Sequence, residues 1–110
     1  LIQIGSGSVT SSGYSANAAS GGTVANSTAG YILTGAMVAA NNYSGLNTIC
    51  TIGSNTWVSS GTLGNNTTTS TSALGGGTVT LSGTLDRVVL TTVNGTDTFD
   101  AGTINILYEG

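Results

Sequence analysis

The chain has 110 residues, room for one domain, and only 5% of them are charged, against about 25% in a typical soluble domain. One cation, Arg87, stands against four anions, Asp86, Asp97, Asp100 and Glu109, for a net charge of -3. That balance argues against a nucleic-acid partner, because phosphate contacts need several Lys or Arg side chains, and it removes the polybasic route to anionic membranes.

No run approaches the ~18 apolar residues of a membrane span, and no basic leader precedes an apolar stretch, so membrane insertion is not expected. The hydrophobic fraction is 38%, with 18 Gly, and a mean hydropathy of +0.26 separates the chain from the polar, highly charged composition of disorder. A domain of this size hides roughly two-thirds of its unfolded surface, which leaves burial for partner subunits to complete.

Helical periodicity is nearly absent; the best stretch, 36–42, is short and bordered by Gly and Asn. Short β-branched or aromatic runs between Gly/Asn/Ser clusters predict strands over 1–4, 31–39, 46–52, 56–60, 78–81, 87–93 and 103–108. Residues 6–29 read as a loop with isolated Val9, Tyr14 and Val24, holding at most a weak edge strand. Gly53-Ser54-Asn55 is a hairpin signal, and Asn94-Gly95 is a stronger one, since both residues tolerate positive φ. Residues 64–77 are low in complexity and read as an exposed loop.

In 87–93, Val88 and Leu90 alternate with Val89, Thr91 and Val93, so both faces are apolar at the start and a central, doubly covered strand is expected. In 103–108, Ile104, Ile106 and Tyr108 share one face, with Thr103, Asn105 and Leu107 on the other. Many short antiparallel strands, polar turns and no repeat predict an all-β domain, an antiparallel β-sandwich or jelly roll.

The chemistry-bearing residues are few. Cys50, the lone cysteine, has no His to activate it and reads as a small buried hydrophobe. Asp97 and Asp100 read first as loop caps. An oxygen-ligand site for a cation and a carboxylate pair for glycoside cleavage are the lesser alternatives. Asp86-Arg87 reads as a local ion pair or a subunit contact. Gly75-Gly76-Gly77 lacks the Lys and helix of a phosphate loop. Trp57 reads as core or interface packing. Tyr14 and Tyr43, flanked by Ser, Gly and Asn, together with Asn65 and Asn66, are the candidates for contact with a receptor. No metal site, cofactor or catalytic residue is expected, and the chain is not read as an enzyme.

The segment from Thr84 to Glu109, with Leu85-Asp86-Arg87-Val88-Val89-Leu90 and Asn94-Gly95-Thr96-Asp97-Thr98-Phe99-Asp100 within it, closely resembles the ending of a family of phage and prophage tail-fibre-like structural proteins. The opening from Leu1 to Tyr14 and Asn55-Thr56-Trp57-Val58 are similar to the same family. The resemblance implies a virion protein, assembled in the bacterial cytoplasm, whose β-rich distal module is a homotrimer. Residues 1–110 would be one fibre module at the C-terminal end of a longer chain, with a strand-bearing segment before Leu1. Its partners would be sister copies, other virion proteins and a host surface glycan or protein. The Asn-x-Ser/Thr sequons at Asn26, Asn42, Asn65, Asn66 and Asn94 would go unmodified in that setting. The function expected is a distal tail-fibre module engaged in host-surface recognition. A head-fibre or capsid-decoration domain is the alternative, and a depolymerase the weakest reading.

Overall fold

A computed structural model describes residues 1–67 and 71–109. The described residues form eight strands and no helix: β1 (Ile2–Ser6), β2 (Ser8–Val9), β3 (Ser15–Ser20), β4 (Thr23–Ser27), β5 (Tyr43–Gly53), β6 (Thr56–Asn65), β7 (Ser72–Thr80) and β8 (Arg87–Leu90). They make two antiparallel sheets, one of three strands in the order β2-β1-β8 and one of five in the order β4-β3-β7-β6-β5. The all-β expectation holds.

Two tight turns organise the larger sheet. Ser54 and Asn55 join β5 to β6 with φ of 51° and 57°, the doubly positive pair that matches the twist of a two-residue hairpin. Gly21 and Gly22 do the same between β3 and β4, with φ of 53° and 81°. The first turn falls where the sequence predicts one. The second lies inside 6–29, where the expectation of a loop with at most one weak edge strand is corrected: β3 is an interior strand paired on both sides. Ala16 and Ala18 alternate with Asn17 as a strand requires, but methyl-sized side chains give too weak a hydrophobic signal to read.

β7 explains that choice of small residues. Gly77 lies opposite Ala16, and a Cβ added to it would come within 2.6 Å of the Ala16 Cβ. A Cβ on Gly75 would meet the Ile32 carbonyl oxygen at 2.8 Å and the Ala18 Cβ at 2.9 Å. The glycine run is therefore a strand stripped of side chains so that other backbone can approach it. This corrects the loop expected over 64–77 at 64–65 and 72–77, which are strand; 66, 67 and 71 lie outside strands, and 68–70 lie outside the described part.

What approaches is the segment after Tyr31, predicted as a strand over 31–39. Only Tyr31 pairs, in an isolated bridge with Ile2. The following residues cross the core face of the large sheet, with Ile32 and Thr34 buried. Thr34 and Ser20 share a hydroxyl contact of 3.0 Å, and the Ser20 hydroxyl also accepts from Ala36 N. The strand expected over 31–39 is corrected: its first residues are buried without a ladder partner, and 36–39 are exposed.

One apolar cluster draws on both sheets: Ile4 from β1, Ala16 and Ala18 from β3, Val79 from β7, and Tyr14, Tyr31, Ile32 and Leu81 from the connections. Trp57 packs against it, as expected. The Tyr14 and Tyr31 rings meet edge to face with centroids 5.1 Å apart, and the Tyr31 hydroxyl donates to the Trp57 carbonyl at 2.9 Å.

Four further expectations are corrected. Cys50 is exposed, because Ile49 takes the core side of β5 and strict alternation turns Cys50 outward. β8 is an edge strand with Val88 exposed, since β1 pairs it on one side and no described strand takes the other. Residues 103–108 form no strand; Ile104, Ile106, Leu107 and Tyr108 are all exposed. Asn94-Gly95 does turn the chain, with Gly95 at φ 71° and Asn94 Oδ1 accepting from Thr96 N and Asp97 N, but no returning strand makes it a hairpin.

Candidate functional site

Three of the four candidate contact residues come together at the end of the β5–β6 hairpin far from its turn. Tyr43 opens β5, Asn65 closes β6, and they are partners in the ladder. Beyond them, side chains continue what the backbone began. Asn66 N donates to the Asn42 carbonyl at 2.8 Å and Asn66 Nδ2 to Ser44 Oγ at 2.6 Å. Asn42 N donates to Thr67 Oγ1 at 2.7 Å, and Thr67 N to Asn65 Oδ1 at 3.0 Å. Short Asn and Thr side chains bond nearby backbone well, and here they link the two strand ends.

The Tyr43 hydroxyl accepts from Val38 N at 3.1 Å and ties down the loop that carries Val38 and Asn41. Between this loop, the β3–β4 turn and the hairpin end lies an open cleft of about 160 Å³, lined among others by Ser20, Thr23, Val38, Tyr43, Asn65 and Thr71. Its wall offers hydroxyls, amides and one aromatic ring, with no Asp, Glu, Lys, Arg or His. Such a surface can hydrogen-bond and stack on an uncharged polyhydroxylated or peptide ligand. The sequence reading missed Thr23 and Val38, which reach the cleft only through chain reversal.

Tyr14 does not belong to this group. It is 2% exposed, and its hydroxyl is committed to the backbone of Ile4, so its expected role as a surface contact is corrected. Local Ser and Gly neighbours made it look exposed; the ring instead fills the core between β1 and β3. Burial pushes its phenol pKa up, partly offset by the bond to Ile4. A second open cleft, about 310 Å³, runs beside it with Asn17, Asn26 and Thr28 on its wall.

Asp97 and Asp100 are exposed, and the described residues hold no group of three or more His, Cys, Asp or Glu placed to bind a metal ion. Turn capping in this stretch falls to Asn94. Arg87 does pair locally: its Nε lies 2.6 Å from Asp86 Oδ1, and Asp86 Oδ2 accepts from Gly7 N at 2.9 Å. The Arg87 hydrogen bond, then that from Gly7, holds the Asp86 carboxyl down to about 2.

Compared with known proteins, the chain matches no family, no curated protein and no solved structure.

Proposed function

We propose that this chain is a structural module of a bacteriophage particle, a distal tail-fibre domain that works as a homotrimer and meets the host surface through Tyr43, Asn65 and Asn66. In this reading the two sheets are the halves of a jelly-roll-like sandwich completed by sister copies. One observation carries it. Among the described residues fourteen large hydrophobic side chains are exposed, while only six of the buried hydrophobics, Ile4, Tyr14, Tyr31, Ile32, Val79 and Leu81, are larger than Ala. A chain with so few charges and so much exposed apolar surface is built to be covered by other protein. The resemblance of residues 84–109 to tail-fibre-like proteins supplies the phage setting.

A head-fibre or decoration role is the second reading. Leu46, Thr62, Leu74, Ala19 and Val24 form one transverse row across all five strands on the outer face of the large sheet. Leu46, Leu74 and Val24 are each well exposed there. An uncharged face with such a row suits contact with a protein shell.

Immunogold microscopy of intact particles, with antibody to this domain, separates the two. Gold at fibre tips, with adsorption to host cells lost in Tyr43→Ala and Asn66→Ala, supports the tail-fibre role. Gold over the head replaces it with decoration. Unlabelled particles overturn both.

A further inference from the structure

Residues 98–109 form no hydrogen bond with the described rest of the chain, yet their sequence has the alternation of a strand over 103–108. Phe99, Ile104, Ile106, Leu107 and Tyr108 stand between 56% and 91% exposed, and Val93 just before them is 73% exposed. Among the described residues this β-coding segment has no strand partner.

We propose that residues 103–108 add as an extra strand to the free edge of β5 in a second copy of this chain, with Ile104, Ile106 and Tyr108 beside Ile49 on the core side. The inference rests on the self-assembly in the proposed function and not on the phage setting.

Four observations select β5. It is the edge of the large sheet, paired with β6 alone. Ser44 to Thr51 pair with Gly64 to Trp57 in unbroken register, eight residues where the arm needs six. The strand carries no charge and no Pro to guard its edge, and its one register shift lies beyond the eight residues, between Thr51 and Gly53. The other edges are less open: Gly35 sits so close to the Thr23 carbonyl at the start of β4 that a Cβ there would clash, β8 opens on the Asp86–Arg87 pair, and β2 has two residues.

Charge points the same way. Asp97, Asp100 and Glu109 all lie on or beside the arm, whereas the one ion pair among the described residues neutralises the body. Arms pairing with one another would set like charges side by side, which destabilises a ladder; an arm on β5 meets none. Ile104, Ile106, Leu107 and Tyr108 at about 100 Å² each, with an equal share from the surface they cover, bury about 800 Å² at each interface, short of the ~1,200 Å² of a standard stable one, so the main-chain hydrogen bonds of the added strand supply the remainder. Each copy gives one arm and receives one, so a closed ring repeats the contact at every interface.

The test uses the full chain. Sedimentation equilibrium should show an oligomer for the unmodified protein, and Ile104→Asp/Ile106→Asp should reduce the mass to one 10.7 kDa chain that keeps a β-type circular dichroism spectrum and a cooperative unfolding transition. Cysteines introduced singly at Thr103, Asn105 and Leu107, the face shared with Cys50, should form a disulfide to Cys50 of another copy in at least one case. Ile104→Cys and Ile106→Cys should not. A monomeric unmodified protein overturns both the inference and the self-assembly it rests on. A double variant as oligomeric as the parent, or Cys50 linked equally from both faces, overturns the arm exchange while leaving assembly standing.

Discussion

The Tyr14 hydroxyl holds both backbone groups of Ile4: it accepts from Ile4 N at 2.8 Å and donates to the Ile4 carbonyl at 3.1 Å. On its other side Ile4 is opposite Val88 of β8, so the phenol stands where a further strand would pair with β1. One side chain thereby joins the small sheet to the start of β3 through a fully buried contact.

Tyr14→Phe keeps the ring and its edge-to-face contact with Tyr31 but strands the Ile4 amide. The Ile4 carbonyl retains Thr10 N as a donor at 3.0 Å, so one buried group is orphaned rather than two. The expected loss is about 1–3 kcal/mol in urea unfolding. A midpoint equal to that of the parent protein would show that the hydroxyl contributes nothing to joining the sheets.

The glycine row makes a paired prediction. Gly77→Ala places a methyl group 2.6 Å from the Ala16 Cβ and should cost about 1–3 kcal/mol by overpacking. Gly64→Ala meets nothing nearer than 3.5 Å and should leave stability level or raise it by a few tenths to about 1 kcal/mol through reduced freedom of the unfolded chain. Thermal melts of the two variants side by side decide it; equal melting temperatures would remove close approach as the reason for the glycines.

Alkaline pH should unfold the protein through its buried phenols. Burial raises the pKa of Tyr31, with Tyr14 and Cys50 nearby adding to it, and burial raises that of Tyr14. Above pH 10, the ordinary value, the unfolded chain releases these protons while the folded chain retains them. The unfolded state then binds fewer protons, so stability falls as pH rises from 10; below that both states are protonated and the tyrosines add no pH dependence. The urea midpoint followed from pH 9 to 12 should decline less steeply in Tyr31→Phe than in the parent. Parallel declines would assign the effect to other groups.

Asp86 acts at the opposite end of the scale. Its carboxyl is held down to about 2 from 3.8 by Arg87 first and Gly7 second, so its contribution is present above pH 3.8 and fades as pH falls toward 2. The pair is solvent-exposed and salt will screen it. The Gly7 amide resonance should therefore titrate with a midpoint near 2, and Arg87→Gln should move that midpoint up toward 3.8. A Gly7 resonance that ignores pH would show that the Asp86 contact does not persist in solution.

Much of the site was legible as a type of surface, less as a place. Tyr43, Asn65 and Asn66 could be chosen from their polar neighbours, and they do converge. Tyr14 has the same neighbours and is buried, because what decides its fate is the Ile4 backbone in β1, which lies ten residues away in sequence and has no local signature.

The all-β class, the turn at Ser54-Asn55 and a surface nearly without charge follow from local residue order, since period-two alternation, tolerance of positive φ and composition are properties of neighbouring residues. Long-range packing settles that 31–39 crosses the sheet instead of joining it, that Gly75-Gly76-Gly77 is strand, that Cys50 faces outward and that 103–108 pairs with no strand among the described residues. Those outcomes depend on which backbone comes close to which. A strand pattern states a capacity to pair, and only the three-dimensional arrangement supplies or withholds the edge that fulfils it.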